Sequence, residues 1–194
     1  MDLISTAGAT LTLGCISYLI YKMKGSNTDI EKTEIDYVFS KSERSPKQKL
    51  IELIDGSTNS LDIAIFTLTE KEIVSHICEA TERGVQVRVM TDKKQSTKMS
   101  KQAANIQKMI QSGIPVKVNN HKGFMHLKMM IVDDEVVTSG SYNYTYSAEK
   151  RHDEVVVIIK DKQMSKGWKE QFEAMWTDSF NYTPYLYGVT EKLA

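Results

Sequence analysis

Hydrophobic and polar positions change their period several times along the chain, and each change marks an element. From Leu3 to Tyr21 no residue is charged (LISTAGATLTLGCISYLIY). A run of that length matches the ~20 residues a helix needs to cross a bilayer. Tyr18 and Tyr21 fall where an interfacial aromatic belt would lie, and Lys22 and Lys24 follow the run. Basic residues on that flank direct the downstream chain to the cytoplasmic side. Asp2 is the charge that precedes the run, so there is no basic n-region of the kind a cleaved signal carries. The pattern predicts an uncleaved single-pass membrane anchor over residues 1–24, then a polar linker over 25–34. A cytoplasmic globular domain over 35–182 and a tail over 183–194 complete the chain.

Within the domain, Pro46–Asp55 spaces Leu50, Ile51, Leu53 and Ile54 as a helix does. Its proline stands in the first turn and Gly56 stands past the end. Ser60–Phe66 (SLDIAIF) alternates and is rich in isoleucine, which predicts a strand. Thr69–Arg83 predicts a helix with Ile73, Ile77 and Ala80 on one face, a Thr69/Glu72 capping box, and Gly84 at its end. Val85–Met90 is again a strand, and strand–helix–strand order implies a parallel pair with a right-handed crossover. Lys94–Ser112 reads as one polar helix and Ile114–Val118 as a third strand. Leu127–Val132 and Glu135–Ser139 flank Asp133-Asp134, a tight turn between antiparallel strands. The continuous apolar run Glu154–Ile159 suggests a central strand buried on both faces. Asp161–Phe180 is a closing helix whose Trp168, Phe172, Met175 and Trp176 form a core stripe, not a base-stacking platform. The fold class is α/β: a single-domain mixed β-sheet flanked by helices on both faces. The pattern has no second copy, so the chain is not a tandem repeat.

Composition removes some partners. Lys+Arg and Asp+Glu number 25 each, for a formal net charge of zero. A polyanion or an anionic membrane must therefore be met by a local patch. Asp92–Gln102, with four lysines, is one candidate, although such a run is by default a solvated face. Cys15 and Cys78 supply neither a disulfide framework nor a metal site.

The chemistry concentrates in Met125–Asn143, MHLKMMIVDDEVVTSGSYN. His126 and Lys128 are two apart on a predicted strand and so share a face. An imidazole and an ammonium on an apolar strand are costly unless they meet an anion. Ser141 and Asn143 are also two apart, and the tight turn returns them beside His126 and Lys128. A cation, an imidazole, a hydroxyl and an amide around one point suit a phosphate ester. His121, Lys122 and Arg151 are candidates for the mouth of such a site. His76 reads as structural, and a metal site of His121, His126 and His152 lacks metal-ligand spacing.

The full spacing is His-x-Lys-x4-Asp-x6-Gly-Ser-x-Asn, with every fixed position filled. On this motif, together with LIDGSTNSLDIAIFTLT, ERGVQVRVMTD and GFMHLKMMIVD, the chain resembles the phospholipase D superfamily over roughly 35–182. It is most similar to the single-motif branch of short bacterial endonucleases and the mitochondrial cardiolipin hydrolase group. The resemblance implies the phospholipase D/nuclease fold and phosphodiester hydrolysis with no metal or cofactor. His126 would attack phosphorus and form a phosphohistidine. Lys128 and Asn143 would hold the phosphate oxygens, supported by Ser141. Glu154 would bond the second ring nitrogen of His126. Asp133, the motif's acid, would order the site from behind. A single motif implies a homodimer with a shared active site, His126 facing its own copy. The substrate stays open at this level. An endonuclease is favoured by the scattered basic residues. A phospholipase or cardiolipin hydrolase would show an apolar rim around Phe66, Phe124 or Tyr142. An inactive dimeric binding module is disfavoured by the intact motif.

Overall fold

The computed structural model describes residues 32–186. The expected anchor, most of the linker and the tail from residue 187 lie outside the described residues. Among the described residues no helix is long and apolar enough to cross a membrane.

Among the described residues eight strands form one sheet, in the order β1-β7-β6-β5-β2-β3-β4-β8. The strands are β1 (Glu34–Phe39), β2 (Ser60–Ile65), β3 (Gln86–Thr91), β4 (Val116–Asn119), β5 (Lys128–Val132), β6 (Val136–Gly140), β7 (Val155–Lys160) and β8 (Tyr182–Pro184). As the sequence implies, β2 and β3 are parallel, joined through helix α2 (Lys71–Glu82), and β4 extends the parallel part. The β5–β6 hairpin is antiparallel, and its turn residues Asp133 and Asp134 have φ of 53° and 55°. Two positive φ values make the turn whose twist matches that of the strands it joins.

The sheet is covered on both faces. On one side Leu50 and Ile54 of α1 (Pro46–Asp55), Ile73 and Ile77 of α2, and Ile106 and Met109 of α4 (Ser100–Gln111) pack on Leu61, Ile63 and Val89. On the other, Phe172 and Met175 of α6 (Lys162–Thr177), the helix that follows the short α5 (Tyr146–Lys150), pack on Ala64, Met90, Met129, Ile131 and Val137. Trp168 and Trp176 are only half-buried beside this second core, so the stripe on α6 is core at its centre and amphipathic at its edges. Arg88 pins α6 to the sheet. Its guanidinium bonds buried Asp62 at 2.7 and 2.9 Å and Glu173 at 2.6 and 3.1 Å, and lies 4.9 Å over the Phe172 ring. A buried carboxylate is tolerated because it is paired and hydrogen-bonded.

Several expectations are corrected. The predicted helix 94–112 is two, α3 (Lys93–Lys98) and α4, broken at Met99, which is extended at φ −106°, ψ 104°. The break turns both Ser96 and Gln102 inward, where the Gln102 amide donates to Ser96 Oγ and Thr91 Oγ1. The Thr69/Glu72 capping box does not form. The amides of Thr69 and Glu70 instead donate to the Tyr144 carbonyl, a tertiary acceptor. β7 is not buried on both faces: Val156 and Ile158 are buried, whereas Val155, Val157 and Ile159 are half-buried. Only edge strand β1 lies beyond it, and α6 covers β5, β6 and β8. Two strands escaped the sequence pattern. β1 begins inside the assigned linker, and β8 runs across the assigned boundary at residue 182.

Candidate active site

The end of β2 organises the site. Phe66 N donates to Leu127 O at 2.8 Å, Thr67 N to Asn143 Oδ1 at 3.2 Å, and Tyr144 N to Thr67 O at 3.0 Å. One short backbone stretch thus holds the segment entering β5 and the segment leaving β6. His126 and Asn143 are brought to the same place although 17 positions separate them.

His126 sits just before β5 and is exposed. Lys128 Nζ lies 3.2 Å from each of its ring nitrogens and donates to His126 O at 3.0 Å. The Phe66 ring lies against the imidazole, with centroids 4.5 Å apart, and Lys128 Nζ stands 5.0 Å over that same ring. Burial pushes the Lys128 ammonium below the ordinary lysine range, and the Glu154 carboxylate pulls it partly back. A cation so placed is under-compensated, and an anionic phosphate would supply what it lacks.

Asn143 uses its carbonyl oxygen on Thr67 N, and no partner for its amide nitrogen is recorded among the described residues. That nitrogen remains a donor for a phosphate oxygen. Ser141 is engaged with the backbone: its N–H donates to Val155 O at 3.1 Å, and its Oγ accepts from Val155 N at 3.2 Å. It extends the β6–β7 ladder by a residue and aims the turn toward Asn143. Gly140 makes this possible. A Cβ there would stand 2.0 Å from Val155 O, and its φ is 154°.

Glu154 lies with Asn143 on the wall of an adjoining groove. No hydrogen bond between Glu154 and His126 occurs among the described residues; Lys128 Nζ instead lies equidistant from the two ring nitrogens, of which a neutral imidazole offers one as acceptor. Asp133 is not brought to the site. It lies at the far end of β5, five residues from Lys128, or roughly 16 Å at ~3.3 Å per residue. Its carboxylate accepts from the N–H of Thr58, Asn59 and Ser60 and from Thr58 Oγ1, at 2.7 to 3.0 Å. Burial alone would raise its pKa, but these donors outweigh burial and hold it below the usual carboxylate range.

The groove has a volume of about 510 Å³ and is lined by Thr67, Gln95, Lys101, Asn143, Arg151, His152 and Glu154, among others. Arg151 and His152 therefore line this groove, which neither His126 nor Lys128 lines, whereas the His121 ring packs edge-on against Tyr182. Lys101, and Lys94 standing 5.0 Å over the Phe124 ring, place two of the four lysines of 92–102 beside the site. Of the suggested rim residues, Phe124 is 53% exposed, but Tyr142 is buried, its hydroxyl donating to Glu149 at 2.9 Å. Among the described residues no three His, Cys, Asp or Glu side chains gather as a metal site.

Asp92 escaped notice in the sequence. Fully buried, it caps α3 through Gln95 N and accepts from Met125 N at 3.0 Å, fixing the residue before His126. An acid closing an apolar strand and opening a helix is the signal that marks it.

A family model described as "Cardiolipin synthase, PLD-like domain" matches residues 50–176. The chain is 29% identical over 173 residues to a mitochondrial cardiolipin hydrolase of Xenopus tropicalis, covering 89% of this chain and 75% of that one. With the human mitochondrial cardiolipin hydrolase it shares 31% over 148 residues, 76% of this chain and 57% of the relative. The match to the Chlamydomonas reinhardtii counterpart, at 30% identity, spans 66% of this chain and 56% of that one. In fold it is similar to Nuc, a phospholipase D family member from Salmonella typhimurium, with a TM-score of 0.73 at 24% identity over 79% of this chain and 99% of that one. NucT from Helicobacter pylori gives 0.67 at 22%, over 75% and 96%. With its histidine–lysine motif set at the β5–β6 hairpin of this sheet, the chain belongs to the PLD-like domain family of the phospholipase D superfamily.

Proposed function

We propose that the chain is a phosphodiesterase that works through a phosphohistidine and cleaves nucleic acid internally. The observation that carries this reading is Lys128 Nζ, 3.2 Å from both ring nitrogens of exposed His126, with Asn143 and Glu154 of the same site lining a groove. An imidazole nitrogen attacks phosphorus, so that a P–N bond forms as the ester P–O bond breaks. Lys128 and the Asn143 amide donate to the non-bridging oxygens, where charge accumulates. The leaving oxygen takes a proton from a second imidazole. Water then attacks phosphorus, the P–N bond breaks, and the second imidazole receives the water's proton. That second imidazole is His126 of another copy, in a homodimer built about the site. Ser141 keeps the geometry of the turn before Asn143, Asp133 steadies the start of β2 away from the chemistry, and Glu154 balances the charge of Lys128. The reaction needs no metal or cofactor. Residues 1–24 anchor the enzyme in a membrane as a single pass, with the domain on the cytoplasmic side.

Nucleic acid is favoured by the hydrogen-bonding lining of the groove and by Lys94, Lys101 and Arg151 around it. The second reading is a phospholipase acting on cardiolipin or other phospholipids. Phe124 and Leu127, 53% and 40% exposed beside His126, support it, as do the names of the curated relatives.

The test uses the full chain in EDTA, with labelled single-stranded RNA or DNA in one reaction and cardiolipin vesicles in another. His126→Ala is the control. Cleavage of nucleic acid alone, lost in the variant, is the expected result. Headgroup release alone would replace this reading with the second. Activity on neither, with the dimer demonstrated, would overturn both.

A further inference from the structure

An apolar surface away from the site lies on the sheet itself. Ile35, Tyr37 and Phe39 are 66%, 60% and 53% exposed and alternate along β1, so they share one face. Their register partners on β7 are Ile159, Val157 and Val155, all half-buried. The two strands present one apolar surface, joined at Ile159 to the second core and exposed along Ile35, Tyr37 and Phe39.

The edge of β1 is blocked against strand addition. Tyr37 N donates to Asp36 Oδ1 at 2.8 Å, Arg44 Nη1 reaches Tyr37 O at 3.5 Å, and Ser42 Oγ donates to Phe39 O at 2.8 Å. What remains open is the face, and a contiguous exposed apolar face marks an interaction surface. A second copy sharing the active site does not account for it. Val38 and Val156 alternate with the stripe and point into the core that Met130, two residues after Lys128, also enters. The stripe therefore faces away from the side of the sheet that carries Lys128.

The chain preceding β1 points to the occupant. The uncharged run Leu3–Tyr21 is separated from Glu34 by the twelve residues Lys22–Thr33. Twelve residues span at most ~40 Å, so a run held in a bilayer keeps β1 near its surface. Tyr and Phe are side chains suited to that interface. We propose that the face of β1 and β7 centred on Ile35, Tyr37 and Phe39 lies on a lipid bilayer and sets the angle at which the domain rests there. The proposal rests on the membrane-anchor reading and is independent of the substrate.

The test uses the full chain with Cys15→Ser and Cys78→Ala, carrying an environment-sensitive label at Tyr37→Cys, with Phe39→Cys as a second site. Lys108→Cys, exposed on α4 across the sheet, is the control. The protein is floated with phosphatidylcholine vesicles whose acyl chains are brominated or plain. The labels at 37 and 39 should lose most of their emission to bromine, while that at 108 keeps its own. Flotation with equal quenching at all three sites would overturn the proposal and spare the anchor. Failure to float would overturn both. Cross-linking of two chains through a photoreactive group at 37 would give the face to a second copy and overturn the bilayer as occupant.

Discussion

Replacing Asp133 separates support from chemistry. Its carboxylate receives four hydrogen bonds, three from consecutive backbone amides at the start of β2. Bonds to a charged acceptor contribute ~1.5–3 kcal/mol each when buried. Here the donors at Thr58 and Asn59 are exposed and water can replace the carboxylate, so the set is worth about 2–4 kcal/mol in all. Alanine also meets a φ of 53°, which costs ~1–2 kcal/mol more. Asp133→Ala should therefore lose about 3–6 kcal/mol, lowering the melting temperature by roughly 6–24 °C for a domain of this size. Asp133→Asn keeps an acceptor and tolerates the positive φ, so it should lose about half as much. The pH dependence follows from the lowered pKa. The folded carboxyl titrates below the ordinary value of 3.8, so its stabilisation is fully present above 3.8 and disappears as pH falls through the depressed value. The gap between wild type and Asp133→Asn should close in acid. Urea unfolding at several pH values measures this. Turnover per folded molecule, measured well below the melting point, should stay within about twofold, because Asp133 lies beyond the range of direct coupling. An unchanged unfolding curve with turnover abolished would refute the reasoning and make Asp133 a participant in the chemistry.

Two further perturbations probe the hairpin. Gly140→Ala puts a Cβ 2.0 Å from Val155 O, the acceptor that holds Ser141, at a φ where L residues are strained. It should cost several kcal/mol (about 3 or more) and displace Asn143; a variant with wild-type stability and activity would contradict that account. Lys128→Met should abolish turnover yet raise the melting temperature at neutral pH. The folded pKa of Lys128 lies below 10.5, so its charge opposes folding at low and neutral pH. That penalty is relieved as pH rises through the folded value toward 10.5, and the advantage of methionine should fade over the same interval. A lower melting temperature at pH 7 would show that the ammonium is a net stabiliser.

Local pattern determined much of this protein. Periodicity identified α1, α2 and α6 and strands β2 to β7. The Asp133-Asp134 pair marked the hairpin because two residues that tolerate positive φ between apolar runs leave little alternative. The spacing of His126, Lys128, Gly140, Ser141 and Asn143 marked the candidate site, since strand alternation and a tight turn bring these positions near one another, and the end of β2 then holds both segments. Long-range contacts decided the rest. Among the described residues β1 and β8 are edge strands that pair with β7 and β4, more than 60 residues away in each case, and half-solvated edges carry weak alternation. The start of α2 was misjudged because its amides are satisfied by Tyr144, not by the neighbouring Thr69. The break at Met99 follows from burying Ser96 and Gln102 against Thr91. Asp133 keeps its place in the motif by supporting the start of β2 from the far end of β5. Asp92, absent from the motif, holds the residue before His126. In each of these cases the energy resides in a pairing with a distant segment, which no local window of sequence contains.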